Sequence, residues 1–398
     1  MRHESVKAVP LPRFDCARLD RLMEEAGLDV VLATSRHNVQ YLLGGYRCFF
    51  FESIEALGTS RYLPIVVYPK GRPDDALYVG SIIEKVARER NSFWTPHVVA
   101  DGCGSTDAMA MAVEHLKRLG RPPRRIGIEA AFLPADARDT LAAGIDGADI
   151  VDAHRTLERL RAIKTPDELA LVRAASDGVV DAMVATFAAV HAGMTKHDIV
   201  ARLRQEQFAR GIDFNFCQIA IGPSFDRVPS DQVLQPGEVV SLDSGANLEG
   251  YVGDLCRMGV AGEADAELVD ILADIDRIQQ AARAAICAGV VGGELITAGD
   301  AAVKASPHAS AIDFTVHGLG LVNHEAPRLA TGRPLPYPAD DAELPLEAGM
   351  VISVETSVRH PTRGFIKLED TLTVTASGSA AYGDHGRGWN RIAAAGGA

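Results

Sequence analysis

The sequence predicts two domains, an α/β domain over residues 1–158 and an α+β domain over residues 159–398. Three observations carry this. At 398 residues the chain is long for one domain and typical of two. From 14 to 153, amphipathic helices alternate with short apolar strands, the pattern of a self-contained α/β layer. Beyond the basic stretch Arg155–Lys164 the pattern turns β-rich, with a few long helices.

The elements follow in order. Residues 14–27 place Leu19, Leu22 and Met23 on one helical face and stop at Gly27. DVVLATS reads as a buried strand, and SRHNVQYLLGGY as a loop and short helix ending at Gly44-Gly45. Tyr62–Pro69 and Ala76–Gly80 read as strands, 107–119 as a helix, Arg125–Glu129 as a strand and 135–143 as a helix. RTLERLRAIK, 155–164, is a mostly polar helix at the seam. Thr165-Pro166-Asp167-Glu168 has the capping-box pattern with proline at the first helical position, and opens a helix to about His191. Thr195 opens another, to Arg210. Strands are expected at 214–221, 238–243, 251–260, 312–317, 350–358 and 364–375, with helices at 264–288 and 294–305. The last stretch, from Gly383, has no periodicity and is expected to fray, with Trp389 as the residue that can pack back.

The second half is organised around Glu238–Arg257, EVVSLDSGANLEGYVGDLCR. Apolar residues flank a turn-like run, Gly245 to Gly250, which reads as strand, turn and returning strand. A turn centred between Leu248 and Glu249 makes facing residue numbers sum to 497, so Asp243 opposes Asp254. Opposed side chains on one sheet face lie about 5 Å apart at Cβ. Two carboxylates that close repel unless a cation lies between them. The hairpin then reads as half of a metal cage; two exposed strand-end aspartates are the plain alternative.

Three more segments share this character. In VHGLGLVNHEAP, His317 and His324 are separated by glycines that let backbone approach a ligand. In GMVISVE, Glu355 points with Val351 and Ser353, away from Ile352 and Val354. In GFIKLED, Lys367 and Glu369 share one face while Ile366 and Leu368 take the other. Each segment alone reads first as ordinary structure. Together two Asp, one His and two Glu form the mixed N/O donor set that suits Mn²⁺, Co²⁺, Fe²⁺ or Zn²⁺. Four carboxylates would be neutralised by two divalent ions and would oppose folding without them.

Composition narrows the class. A net charge of −13 argues against nucleic acid and against an anionic membrane surface. No apolar run approaches the roughly 20 residues of a membrane span, and MRHESVKAVPLPRFD lacks the apolar core of a leader. Six scattered cysteines with no CxxC spacing suit free thiols in a reducing cytoplasm. Small substrates and a second copy of the chain are the expected partners.

DSGANLEGYVGDLCR, HGLGLVNHE, GMVISVE and KLEDTLTVT, preceded by AIKTPDELALVRAASD, occur in the order seen in the pita-bread metallopeptidase family, which includes aminopeptidase P, prolidase, methionine aminopeptidase and the non-metal relative creatinase. The chain resembles this family over nearly its whole length. The resemblance implies a creatinase-like α/β N-terminal domain and an α+β pita-bread catalytic domain. It implies Asp243, Asp254, His317, Glu355 and Glu369 as ligands of two divalent metal ions, manganese first and cobalt, zinc or iron as alternatives, with Asp254 and Glu369 bridging. It also implies a homodimer. In the aromatic run Tyr46–Glu52, otherwise core packing, it makes Arg47 a candidate substrate contact.

The sequence also departs from the family. Asp226 stands 17 residues before Asp243, where the peptidases usually carry a histidine, and Ile221–Asp231 holds none. A histidine exchanges protons near neutrality, whereas an aspartate, with a reference pKa near about 3.9, stays ionised. Asp226 reads as a general base, as a contact for a cationic substrate, or as a plain loop residue. Lys367 stands where arginine is usual, and Thr356 where proline is common.

The leading expectation is a metal-dependent hydrolase of C–N bonds, an Xaa-Pro aminopeptidase or dipeptidase acting on small peptides. Glu355 would take a proton from water and His324 would orient the substrate carbonyl. The alternative keeps the fold and changes the chemistry: a creatinase-like amidine or cyclic-amide hydrolase, or a metal-assisted lyase, on a small cationic metabolite. A catalytically silent binding protein is the third, and the complete ligand set argues against it.

Overall fold

The computed structural model describes residues 11–52, 60–90, 92–330 and 338–394. Most of the N-terminal stretch read for a leader therefore lies outside the described residues. The chain forms two compact units that divide after Arg161.

The first unit contains α1 (Cys16–Glu25), β1 (Val30–Ala33), α2 (Arg36–Leu42), β2 (Ile65–Pro69), β3 (Leu77–Ser81), α3 (Lys85–Glu89), β4 (His97–Gly102), α4 (Ser105–Lys117), β5 (Arg125–Ile128), α5 (Ala135–Gly144), β6 (Asp149–Asp152) and α6 (His154–Arg161). Its mixed sheet runs β4-β3-β2-β1-β5-β6. Val31 and Ala33 enter one core with Leu19, Met23 and Leu157, while Val30 and Leu32 enter another with Met109, Leu116 and Leu141. Burial on both faces explains why β1 reads as an unbroken apolar run. β4 and β6 were not expected. HVVADG and DIVD are short edge strands with polar residues at their ends, and they owe their pairing to β3 and β5.

The second unit contains α7 (Pro166–Ala189), α8 (Lys196–Ala209), β7 (Asp213–Ile221), β8 (Val239–Leu248), β9 (Tyr251–Ala261), α9 (Ala266–Ala284), α10 (Gly292–Lys304), β10 (Ile312–Gly318), β11 (Val351–His360), β12 (Gly364–Thr375), β13 (Gly378–Tyr382) and β14 (Asn390–Ile392). The capping box at Thr165 and Glu168 is formed. Six strands run β10-β11-β12-β9-β8-β7, with β13 paired to β12 and β14 to β9. Val240, Leu242 and Leu255 pack with α7 and α8 residues such as Val179, Met183 and Leu203. Ile366, Leu368 and Val358 pack on Leu268, Ile271 and Ile275 of α9. This apolar packing fixes which way the alternate, polar residues of the same strands must face.

The tail from Gly383 does not fray as expected, as far as Ala394. β14 pairs in parallel with β9, Trp389 Nε1 donates to Leu268 O at 2.9 Å, and Asn390 Nδ2 donates to Met258 O at 2.9 Å. Arg283 forms a fork on Asp384, with contacts of 3.0 and 2.8 Å, and Arg387 reaches Asp370, Asp276 and Asp384. These are polar and irregular contacts, which leave no periodic signal in the sequence. The Arg283 hydrogen bonds lower the pKa of Asp384. A carboxylate depressed in the folded state stabilises it above its unfolded pKa, near about 3.9, and loses that contribution as pH falls below. Trp389 emission in a Trp94→Phe background should therefore report tail release in acid below about pH 4. Emission unchanged between neutrality and that range would refute the docking role of these ion pairs.

Candidate metal centre

The hairpin β8–β9 turns on Glu249 and Gly250, both at positive φ (51° and 90°), with Leu248 facing Tyr251. Asp243 therefore faces Cys256 and Asp254 faces Gly245. The expected direct opposition of Asp243 and Asp254 is corrected to a diagonal one. The shift is by two residues, so both side chains stay on the same face. The expected centre, one residue earlier, missed the tight turn because Glu249 is not a residue that favours the left-handed region.

The register then lines up a row across the sheet. Asp243 pairs with Cys256, Cys256 with Glu369, Glu369 with Glu355, and Glu355 with Thr315. Asp254 and His317 stand two residues along from Cys256 and Thr315, so they share that face. The structure thus brings Asp243, Asp254, His317, Glu355 and Glu369 together. One ligand atom each of Asp254, His317 and Glu369 lies within 4.8 Å of the other two. His317 Nε2 is 3.5 Å from Glu355 Oε1 and 3.6 Å from Glu369 Oε1.

Neighbours hold these groups in place. His317 Nδ1 faces Gly318 O at 3.2 Å; the N–H placed there leaves the Nε2 lone pair toward the carboxylates. Ser353 Oγ donates to Glu369 Oε1 at 2.8 Å, and Asn323 Nδ2 donates to Asp254 Oδ2 at 3.0 Å. Behind the row, fully buried Arg257 donates to the carbonyls of Cys256, Glu369 and Gly383 at 2.7–2.8 Å. The glycines of HGLG serve the loop itself. A Cβ on Gly318 would lie 2.3 Å from Glu325 O, and one on Gly320 would lie 2.2 Å from Glu325 Oε1. Glu325 forms a buried ion pair with Lys164 at 3.0 Å.

Two cations share the face. Lys367 Nζ lies 2.7 Å from Asp243 Oδ2, 2.5 Å from Glu355 Oε2 and 2.8 Å from Glu369 Oε2. Arg227, stacked over Phe365, also reaches Asp243 Oδ2. Burial and the neighbouring carboxylates of Glu369 and Asp243 push the pKa of Asp254 well up. Burial also raises Glu355, against the pull of Lys367. Glu369 goes the other way: Lys367 and His317 outweigh its burial and hold it low. In His317 burial opposes the charge, but Glu369 and Glu355 outweigh it and raise the pKa.

The donor set fits a divalent cation. Asp254 Oδ1 and His317 Nε2 are buried and make no hydrogen bond among the described residues. Such atoms are costly to bury unless they meet a partner. Oxygen and imidazole donors suit Mn²⁺, Co²⁺, Fe²⁺ and Zn²⁺ alike. In the first unit His37, Glu129 and His154 also approach one another. There Glu129 already accepts from the backbone N–H groups of Thr34 and Ser35 and from Asn38 Nδ2. It secures the start of α2.

Of the remaining sequence candidates, His324 joins the row, whereas Asp226 and Arg47 make no contact with its residues among those described. His324 stacks on His317 with ring centroids 3.8 Å apart and keeps an exposed edge. Asp226 is exposed; its carboxylate accepts from Val228 N at 3.1 Å and pairs with Lys196 Nζ at 3.3 Å. Arg47 is exposed in the first unit, before the turn of 3-10 helix Phe49–Glu52. Sequence reasoning missed Arg227, Asn323 and the Lys164–Glu325 pair. A basic residue directly after the count-back position was the available signal for Arg227. Nothing local marks the other two, because their partners are far away in sequence.

The chain is similar to known proteins over most of its length. The sequence model of metallopeptidase family M24 matches residues 170–376, and that of the creatinase/prolidase N-terminal domain matches 16–163. The probable dipeptidase PepE of Mycobacterium tuberculosis is 28% identical over 364 residues, spanning 89% of this chain and 90% of that protein. An Xaa-Pro dipeptidase of Lactobacillus delbrueckii subsp. lactis is 24% identical, spanning 91% and 94%. Among solved structures, an Xaa-Pro dipeptidase from Bacillus anthracis superposes with a TM-score of 0.78 at 22% identity, over 95% of this chain and 99% of that one.

Proposed function

The chain belongs to metallopeptidase family M24, and from that premise we propose an Xaa-Pro dipeptidase or aminopeptidase that uses two divalent ions, manganese first, held by Asp243, Asp254, His317, Glu355 and Glu369. It is a metallohydrolase with a creatinase-type α/β N-terminal domain and an α+β pita-bread catalytic domain. The observation that carries the reading is the row Asp243, Glu369, Glu355 on one sheet face, with Asp254 and His317 beside it.

Divalent ions bound there supply Lewis-acid polarisation of a peptide carbonyl and a water acidic enough to deprotonate near neutrality. Glu355 is the proton acceptor, because its side chain is 17% exposed while those of Asp243 and Glu369 are 3% and 2% exposed. Only Glu355 of these three opens toward arriving substrate. His324 stands at the edge of the row, and desolvation of its inner face beside His317 lowers its pKa. It meets substrate as neutral imidazole and orients the carbonyl by a hydrogen bond. No helix among the described residues is long and apolar enough to cross a membrane. The six cysteines are free, which suits a reducing cytoplasm. A homodimer, with Arg47 as a substrate contact, completes the reading on the family resemblance.

One observation favours a second reading. Asp226 stands in place of a histidine, which suits hydrolysis of a cyclic amide or amidine on a small cationic metabolite. The Lys196 ammonium weakens it, because it already supplies Asp226 with a counter-ion. The two readings separate in an assay of Xaa-Pro dipeptides and tripeptides beside guanidino and cyclic-amidine compounds, with Mn²⁺ added. Xaa-Pro cleavage is expected. Asp226→Asn should leave it within about threefold, since no proton-transfer role worth about 10²–10⁴-fold is assigned to this residue. Turnover of the cationic compounds alone would replace the peptidase reading with the second one.

A further inference from the structure

In the first unit β1, β5 and β6 lie side by side and parallel. The chain leaves β1 for β2 on one side, and β5 for β6 on the other. Open sheets of this kind take ligands in the crevice beyond the carboxyl ends of the strands, where the strand order reverses. Three side chains from those ends meet here. His37 follows β1 as the second residue of α2, Glu129 directly follows β5, and His154 opens α6 after β6.

One ligand atom of each residue lies within 4.8 Å of the other two. His37 Nε2 stands 4.0 Å from Glu129 Oε1. The two imidazoles are 6.5 Å apart at their centroids and nearly perpendicular, and Phe132 packs against both. His37 Nε2 and His154 Nδ1 are buried and make no hydrogen bond among the described residues. His37 is 7% exposed, so its bare ring nitrogen is costly unless something meets it. Glu129 has capacity left on the oxygen nearest His37. Its Oε2 accepts from Thr34 N and Ser35 N, whereas Oε1 accepts from Asn38 Nδ2, and a carboxylate oxygen has two acceptor sites.

The donor chemistry selects the ligand. Burial, with the Arg161 guanidinium nearby, lowers the pKa of His37 well below the ordinary imidazole value. Near neutrality His37 therefore presents a lone pair rather than a second proton. Two imidazoles and one carboxylate form the donor set of tetrahedral zinc sites that keep a fourth position open. Magnesium and calcium, which take oxygen ligands, suit it less. Bonds of about 2.0–2.2 Å need the three donors to draw inward, which rotation of the two rings supplies. Arg161, which donates to Asn38 Oδ1, opposes the charge of an ion and limits its affinity.

We infer that the first unit binds a divalent ion of the zinc class of its own, held by the imidazoles of His37 and His154 and the carboxylate of Glu129. The ion ties the start of α2 to the start of α6 and leaves one coordination position to water or an added ligand. The inference goes beyond the peptidase reading and does not depend on it.

The test is zinc uptake by the metal-stripped full chain, dialysed against micromolar Zn²⁺ and counted by plasma mass spectrometry. Wild type should hold one zinc ion more per chain than His37→Phe, and one more than His154→Phe. Phenylalanine keeps a planar ring and removes the donor nitrogens, and far-UV circular dichroism checks that each variant is folded. Neither residue belongs to the row in the second unit, so Mn²⁺-dependent Xaa-Pro cleavage should be the same in all three proteins. Equal zinc content in wild type and the folded variants would overturn the inference. Where a variant does not fold, magnetic resonance of wild type with isotope-labelled histidine rings decides instead. Zn²⁺ should then move the ring nitrogens of two histidines beyond His317 and its stacked neighbour His324. Movement confined to that pair would overturn the inference.

Discussion

Glu355→Gln is expected to lower kcat for Xaa-Pro cleavage by about 10²–10⁴-fold, the range of a positioned general base. The substitution keeps shape and one oxygen donor but removes the capacity to accept a proton. Glu355 faces Glu369 across β11 and β12, so its backbone is fixed by a ladder the substitution does not touch. Its carboxylate contacts Lys367 on one oxygen and faces His317 on the other. Of the two glutamates in the row, only Glu355 keeps a partly open side chain. The variant should therefore fold and retain an ion among Asp254, His317 and Glu369. Metal analysis alongside kcat and KM checks this. A kcat within about tenfold of wild type, with metal content unchanged, would remove Glu355 from proton transfer.

The proposed ligand residues could be read from the sequence because their strands alternate cleanly. Ile352, Val354, Ile366 and Leu368 take the core side, which sends Glu355 and Glu369 to the other. That argument needs only a period of two. It could not fix register, which depends on turn geometry, and Glu249 adopts a left-handed conformation that its side chain does not announce. Lys367 was legible as a same-face neighbour of Glu369, but its three carboxylate partners sit on three strands and appear only once the register is known. Asp226 shows the opposite limit. Counting back along the chain found the position, yet the loop turns Asp226 to Lys196 and offers Arg227 to Asp243 instead. The docked tail escaped for a related reason: its anchors are polar contacts of scattered residues, Trp389, Asn390 and Arg387, which follow no period.

Lys164→Met is expected to destabilise the second unit by about 3–5 kcal/mol, the cost of breaking a buried ion pair by removing one charge. Lys164 and Glu325 are each 1% exposed at the side chain and meet at 3.0 Å. Lys164 Nζ also donates to Ala162 O at 3.3 Å, and Lys164 N donates to Gly349 O at 2.9 Å, just ahead of β11. Glu325 N donates to Gly318 O at 3.0 Å, closing the loop that begins at His317. The pair thus ties the start of the unit to the loop that carries Asn323 and His324. Without the Lys164 ammonium the buried Glu325 carboxylate loses its ion-pair charge, and the loop adjusts by moving Asn323 away from Asp254. Loss of stability should therefore come with weaker metal retention. Lys164→Met combined with Glu325→Leu removes both charges, and should recover most of the stability because desolvation is no longer opposed by nothing. Denaturant unfolding followed by Trp389 emission measures the cycle. A single-variant loss below about 1 kcal/mol, the range of an exposed pair, would show that Glu325 finds another partner and that the loop does not depend on Lys164.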